Sequence, residues 1–208
     1  WVIQRAIERL QEWAARVELP EVANAGARGA SRPGSEGRPA RDLGGANLPL
    51  LAVNLPGTSL NEQSFIDFVL QQVGDPTLAQ ALCFEITETA AVTNLSNATF
   101  AMRELKARGC KFALDDFGTG LSSFGYLKHF PVDYLKIDGS FVREILRDPI
   151  DREMVRSINE IGHLTGKQTI AEFAENAEII QMLTSLGVDF AQGYGVAQPQ
   201  RVLKAAVA

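Results

Sequence analysis

The sequence predicts an α/β fold built on parallel strands, and three observations carry that reading. Short apolar runs recur six times between Leu50 and Gln192. Helical patterns separate most of these runs, and a polar or acidic residue stands at the C-terminal end of each. Strands and helices in alternation place a parallel sheet between covered faces, as a barrel or as a doubly wound sheet.

The elements follow in order. Residues Trp1–Trp13 set Ile3, Ala6, Ile7, Leu10 and Trp13 at helical spacing, with Arg5, Glu8, Arg9 and Glu12 opposite, which predicts an amphipathic helix. From Pro20 to Pro49 the composition turns to Gly26, Gly29, Gly34, Gly37, Gly44 and Gly45 mixed with Pro33, Pro39 and small residues. Such a stretch buries too little apolar surface to offset its ordering entropy, so a flexible insertion is expected rather than a functional lid. Strands are predicted at Leu50–Asn54, Leu82–Glu88, Lys111–Asp115, Tyr134–Ile137, Thr169–Glu172 and Asp189–Gln192. Helices are predicted at Asn61–Gln72, Ser96–Arg108, Asp151–Leu164 and Ala177–Leu186, the last two followed by the cap glycines Gly166 and Gly187.

Composition narrows the class. The 208 residues suffice for one sizeable core but fall short of the roughly 250 of a complete βα-barrel. Hydrophobic residues at 46% and charged residues at 22% describe a soluble globular chain. A net charge of −5 without a Lys/Arg block argues against a nucleic-acid polymer as partner. No apolar run approaches the roughly 20 residues of a membrane span, and no signal peptide is visible. Cys83 and Cys110 lie inside apolar runs, which predicts packing roles in a reducing, cytoplasmic setting rather than a disulfide. The chain starts at Trp1 in mid-pattern, as a piece of a longer polypeptide does; membrane anchoring of that parent stays open.

The polar residues at the strand ends are the candidate site. They are Asn54, then Glu85 and Glu88, then Asp115 and Asp116, then Lys136 and Asp138, then Glu172 and Glu175, and Gln192. In a parallel βα-barrel that rim is where the loops converge on a ligand. A helix cap or a surface charge explains any one of them, but not their recurrence on nearly every strand.

Carboxylates crowded round one mouth repel each other, and divalent cations relieve that cost. Oxygen ligands suit Mg²⁺ or Mn²⁺. The two histidines, His129 and His163, lie away from the strand ends and are expected on the surface, which argues against a His-rich zinc site. No Ser-His-Asp arrangement or nucleophile elbow stands out. Metal-assisted hydrolysis of a phosphoester is the natural chemistry, with Lys136 holding the attacking water or a phosphate oxygen. Glycoside hydrolysis is the rival for paired carboxylates. It favours aromatic platforms, whereas aromatics are 8% here and the adjacent Asp115 and Asp116 look like metal ligands.

Several segments resemble successive motifs of the EAL-type cyclic-di-GMP phosphodiesterases. They are Ala52-Val53-Asn54-Leu55, Phe84-Glu85-Ile86-Thr87-Glu88-Thr89 and Asp115-Asp116-Phe117-Gly118-Thr119-Gly120. Ser122-Ser123, Leu135-Lys136-Ile137-Asp138, Ala171-Glu172-Phe173-Ala174-Glu175 and Gln192-Gly193-Tyr194 follow in the family's order. Only the Asp115–Gly120 run is specific alone; together the segments cover nearly everything from Leu50 to Pro199.

The resemblance implies a modified TIM (β/α)8 barrel, here lacking its first strands, as one domain over residues 1–208. It implies hydrolysis of cyclic di-GMP to linear pGpG with two Mg²⁺ or Mn²⁺ ions. By the same resemblance Asn54, Glu85 and Asp115 hold the first metal, and Asp115 with Asp116 reach the second. Lys136 positions the water, and Glu172 is a general base or metal-associated carboxylate. Gln192 completes the pocket, with Asp138, Glu175, Thr119 and Gly120 beside the substrate. Glu88 anchors the loop Asp116–Ser123; its bland alternative is a helix-cap carboxylate. A homodimer and upstream sensory or diguanylate-cyclase-like (GGDEF) modules in the parent chain are implied as well.

The departures are specific. The family's Glu-Ala-Leu segment and downstream arginine have no counterpart before Trp1; by the resemblance that glutamate is a metal ligand and that arginine a phosphate contact, so the metal-ligand set within residues 1–208 is incomplete. The Pro20–Pro49 stretch exceeds the family's usual connection. Phe173 stands where glycine is commoner, and Gly139 where arginine is common. A catalytically inactive receptor for cyclic di-GMP is the alternative function, and a purely structural dimerisation domain a third. Retention of Asn54, Glu85, Asp115, Asp116, Lys136, Glu172 and Gln192 favours the enzyme.

Overall fold

The structure, a computed structural model, describes residues 2–16, 48–93, 95–120 and 124–199. The insertion expected at 20–49 therefore falls almost wholly outside the described residues, as does Ser122-Ser123.

Among the described residues six strands run in chain order, all parallel, each hydrogen-bonded to the next: β1 (Leu51–Asn54), β2 (Leu82–Thr87), β3 (Lys111–Phe117), β4 (Tyr134–Ile137), β5 (Gln168–Ala171) and β6 (Phe190–Ala191). Among the described residues β1 and β6 each have one strand neighbour, so the sheet is a half-barrel open between them. Four larger helices match the predicted ones: α2 (Gln63–Gln72), α5 (Leu95–Ala107), α7 (Pro149–Leu164) and α8 (Ala177–Ser185). The N-terminal helix α1 (Val2–Arg16) buries Ile3, Ala6, Ile7 and Leu10, the stripe its sequence spacing predicts.

Three short helices, α3 (Pro76–Gln80), α4 (Glu88–Thr93) and α6 (Gly139–Arg143), are not predicted by the sequence pattern. Each is about one turn, too short for a periodic signal. Caps define two of them: Asp75 accepts the Thr77 N–H at 2.8 Å, and Asp138 accepts the Ser140 N–H at 2.8 Å. In α4, Glu88 is the first helical residue, whereas the apolar run places it at the end of β2.

Alternation along the strands sorts the side chains into two faces. Phe84, Ile86, Phe112, Leu114, Leu135 and Ile137 are fully buried in the large core with the helices. The other face carries a small separate cluster of Cys83, Ala113 and Tyr134, joined by Ile170. Two residues further along β2, β3 and β4, and just past the end of β5, stand Glu85, Asp115, Lys136 and Glu172. The small cluster is thus an apolar floor beneath the polar rim.

Both cysteines are free and buried, as packing residues should be. Burial pushes the Cys83 thiol up to about 12, helped by Glu85 and Asp133, and the Cys110 thiol up to about 11. No helix among the described residues is long and apolar enough to cross a membrane.

At the opposite, strand-start end, two aspartates repeat one device. Asp133 accepts the Phe112 N–H at 2.9 Å and pairs with Lys106 at 2.6 Å. Asp189 accepts the Thr169 N–H at 2.8 Å and pairs with His163 at 2.7 Å. His163 is therefore a half-buried partner of Asp189 and not the surface residue expected of it; its place in the last turn of α7 faces the start of β6. His129 is exposed, as expected.

Candidate active site

The rim residues converge on one ammonium group. Lys136 Nζ lies 2.7 Å from Asp115 Oδ1, 2.8 Å from Glu172 Oε1 and 3.2 Å from Glu85 Oε1. The Lys136 side chain is 4% exposed and its three partners 12–14%, so the cluster is largely withdrawn from water. Burial alone would lower the lysine's proton affinity. Its close contacts to the carboxylates of Asp115 and Glu172, with the charges of Glu85 and Glu172, outweigh it and hold Lys136 well above the ordinary lysine range.

Asp116 joins the same group by an irregular backbone. Neighbouring residues of a regular strand point to opposite faces. Here the β3–β4 register shifts between Leu114 and Phe117, and Asp116 takes φ +55°. Carboxylate oxygens of Asp115, Asp116 and Glu172 consequently all lie within 4.8 Å of one another, close enough to share a metal ion.

Four carboxylates, those of Glu85, Asp115, Asp116 and Glu172, face one ammonium, a net charge of −3. Burial pushes the Glu172 carboxyl up. Lys136 opposes that shift, and the charges of Asp115 and Asp116 reinforce it. Asp116 is also pushed up, by burial and then by Asp115 and Asp138. All-oxygen donors with excess negative charge are the surroundings that a hard divalent cation neutralises. The residues present fit such an ion.

The remaining predicted residues take surrounding positions. Asn54 ends β1 opposite Glu85 in the parallel register. Gln192 is exposed just past β6; its N–H donates to Ala171 O at 2.8 Å and its carbonyl accepts the Ala174 N–H at 3.0 Å, bracketing Glu172. Asp138 is the cap of α6, bonded to both the N–H and the hydroxyl of Ser140. Glu175 is half-exposed and drawn to Arg143 at 3.7 Å, with no ion pair to the Lys136 cluster among the described residues. Thr119 and Gly120 lie exposed on the loop after β3, where the Thr119 hydroxyl donates to Asp116 O at 3.0 Å.

Glu88 is buried, 3% exposed, and does not reach the Lys136 cluster as an ion pair. Its Oε2 accepts the Gly118 N–H at 3.0 Å and its Oε1 accepts the Tyr126 hydroxyl at 2.5 Å. The carboxylate thus ties the start of the loop after β3 to the 3₁₀ turn at Phe124–Lys128. Nothing in the sequence distinguishes Tyr126 from a packing aromatic; a buried carboxylate in need of donors is the one available hint. Gly118 takes a conformation that favours glycine, and a side chain there would press on a neighbour. Its φ is +102°, and a Cβ there would come within 2.8 Å of Ile158 Cδ1.

Residues 38–199 match the EAL domain family. The chain belongs to it. Among its relatives, cyclic di-GMP phosphodiesterase PdeB of Shewanella oneidensis is 43% identical over 152 residues, which is 72% of this chain and 18% of that protein. Cyclic di-GMP phosphodiesterase PdeF of Escherichia coli is 39% identical over 73% of this chain and 20% of its own length. The matched region therefore spans about a fifth of these curated relatives. The phosphodiesterase PaMucR, solved in complex with c-di-GMP, superposes with TM-score 0.76 at 26% identity over 96% of this chain and 70% of that one. The six-stranded parallel sheet is thus the partial TIM-like barrel of an EAL domain, in agreement with the fold expected from sequence.

Proposed function

We propose that this EAL domain hydrolyses cyclic di-GMP to linear pGpG with the help of two Mg²⁺ or Mn²⁺ ions. The observation that carries the reading is the buried convergence of Glu85, Asp115 and Glu172 on Lys136, with Asp116 brought alongside. The relatives named as cyclic di-GMP phosphodiesterases and the c-di-GMP complex of PaMucR support the substrate.

Asn54, Glu85 and Asp115 would hold one ion, and Asp115 with Asp116 the other, with Glu172 associated with both acidic neighbours. Bound there, divalent ions lower the pKa of a coordinated water and neutralise charge at phosphorus. The chain's own groups then divide the remaining tasks. Glu172, whose proton affinity is raised, accepts a proton from the attacking water. Lys136, held charged, donates hydrogen bonds to that water or to a phosphate oxygen. Asp138, Glu175, Gln192, Thr119 and Gly120 border the approach for the nucleotide, and Glu88 keeps the loop after β3 in place.

The test is product analysis of cyclic di-GMP incubated with the full-length protein and Mn²⁺, with Glu172→Gln as control. Appearance of pGpG that the variant fails to make supports hydrolysis. Tight cyclic di-GMP binding without pGpG would instead make the domain a receptor. The reading extends to a homodimer and to upstream sensory or GGDEF modules in the parent chain. Light scattering of the full-length protein checks the first.

A further inference from the structure

Immediately after Glu172 the backbone takes a conformation that its residue disfavours. Phe173 has φ +52°, in the left-handed region that a bulky side chain enters only when its surroundings hold it there. Two contacts supply the hold. The ring lies over Gly139, where an added Cβ would come within 2.7 Å of Phe173 Cγ and 2.9 Å of Cε2. The Arg143 guanidinium stacks on the ring with its Cζ 3.9 Å from the centroid. Gly139 and Arg143 are the first and last residues of α6, so one helix provides both the notch and the clamp. Glu175, half-exposed like Arg143, lies 3.7 Å from Arg143 Nε, a loose surface pair that adds little to this hold.

The geometry points to Phe173 as a positioning residue for Glu172, acting through its fit against Gly139 and Arg143. The left-handed turn at residue 173 ends the extended path of β5 at the point where the Glu172 carboxylate meets Lys136 and lies within metal-sharing distance of Asp115 and Asp116. A chain that relaxed to negative φ at 173 would swing the peptide between Glu172 and Phe173 and carry the carboxylate away from its partners. The ring of Phe173 and the missing side chain of Gly139 are therefore complementary parts of one device, which also explains why the loop tolerates phenylalanine in a glycine-favouring conformation. The catalytic consequence rests on the hydrolase reading; the effect on metal affinity does not.

The experiment is a substitution cycle in the full-length protein, read by Mn²⁺ affinity from calorimetry, by kcat and KM for cyclic di-GMP, and by the unfolding midpoint. Gly139→Ala in the Phe173 background is expected to weaken Mn²⁺ binding and lower kcat by about tenfold or more, with KM changing less than kcat, because small misplacements of reacting groups carry large rate penalties. Phe173→Gly keeps the left-handed turn without strain and is expected to stay within about threefold of wild type. Phe173→Ala has neither ring nor glycine freedom and is expected to fall with Gly139→Ala. The double variant Gly139→Ala/Phe173→Gly should recover to the level of Phe173→Gly. A silent Gly139→Ala, or an equal penalty in both backgrounds, would overturn the proposal. If no variant makes pGpG, the Mn²⁺ affinities decide alone: the same cycle in affinity upholds positioning while the hydrolase reading fails. Should Gly139→Ala not fold, the contrast between Phe173→Gly and Phe173→Ala decides: a loss in Phe173→Ala alone upholds positioning, and equal behaviour of the two overturns it.

Discussion

Lys136 Nζ stands 2.8 Å from Glu172 Oε1, and both groups are shifted the same way: each holds its proton more strongly than usual. The two shifts agree because one ammonium serves several carboxylates. From the lysine's side the acids outweigh burial; from the glutamate's side burial and the surplus of negative charge outweigh the single lysine.

Replacing that ammonium should therefore be costly in the absence of metal. Lys136→Met is expected to lose about 3–5 kcal/mol, the range for removing one partner of a buried ionic group. Urea unfolding in the presence of a chelator measures it. The sign with pH follows from the raised lysine. Its stabilising contribution is fully present below the ordinary value of 10.5 and fades as pH rises through the higher folded value. Wild type and variant should converge only under strongly alkaline conditions. Equal stabilities at neutral pH would show that the lysine does not neutralise the cluster.

Glu88 should behave as a loop anchor. Glu88→Ala leaves the Gly118 N–H and the Tyr126 hydroxyl without this acceptor, at about 1–3 kcal/mol for each group that water cannot reach. Glu88→Gln, which keeps one acceptor oxygen, should fall between. Amide exchange at Gly118 is the specific readout, and unchanged protection in Glu88→Ala would contradict the anchoring.

Two glycines separate conformational strain from steric collision. Gly118 and Gly166 both have positive φ, +102° and +75°, yet a Cβ at Gly166 meets nothing within 4 Å while one at Gly118 strikes Ile158. Gly166→Ala should cost about 1 kcal/mol from backbone strain alone, and Gly118→Ala measurably more. Equilibrium unfolding compares them directly; equal losses would mean that Ile158 simply moves aside.

Asp189 should matter for stability and not for metal binding, since it lies at the opposite end of the strands. Asp189→Ala removes the acceptor for the Thr169 N–H and hydroxyl and the partner of His163, an expected loss of about 1–3 kcal/mol. Burial raises the Asp189 carboxyl, but the Thr169 and His163 interactions outweigh that and hold it below the ordinary 3.8. A lowered acid contributes stability that is present above 3.8 and is lost as pH falls through its folded value. The gap between wild type and variant should accordingly narrow below about pH 4, while Mn²⁺ affinity at neutral pH is unchanged.

Much of this molecule is legible in the chain. The middles of the strand runs are apolar on both faces, with acidic, amide and lysine groups gathered at their C-terminal ends, as in parallel strands buried between layers. Strict alternation puts Glu85 two residues past Cys83, Asp115 two past Ala113, Lys136 two past Tyr134 and Glu172 two past Ile170, so their sharing of one face follows from period two alone. Less legible are the one-turn helices α3, α4 and α6. Their existence depends on single caps such as Asp75 and Asp138 and not on a repeating pattern.

What the sequence by itself determined is therefore the order of strands and helices, the face on which the acids and the lysine stand, and the family to which these motifs belong. Only the tertiary structure decided that Asp116 turns to the same side as its neighbour Asp115, because that needs a register shift and a left-handed residue, not a pattern. It also decided that Glu88 serves the loop after β3, that His163 faces Asp189, and that Phe173 fits the space Gly139 leaves. These are contacts between residues 26 to 38 positions apart, and periodicity reports only on neighbours within one element.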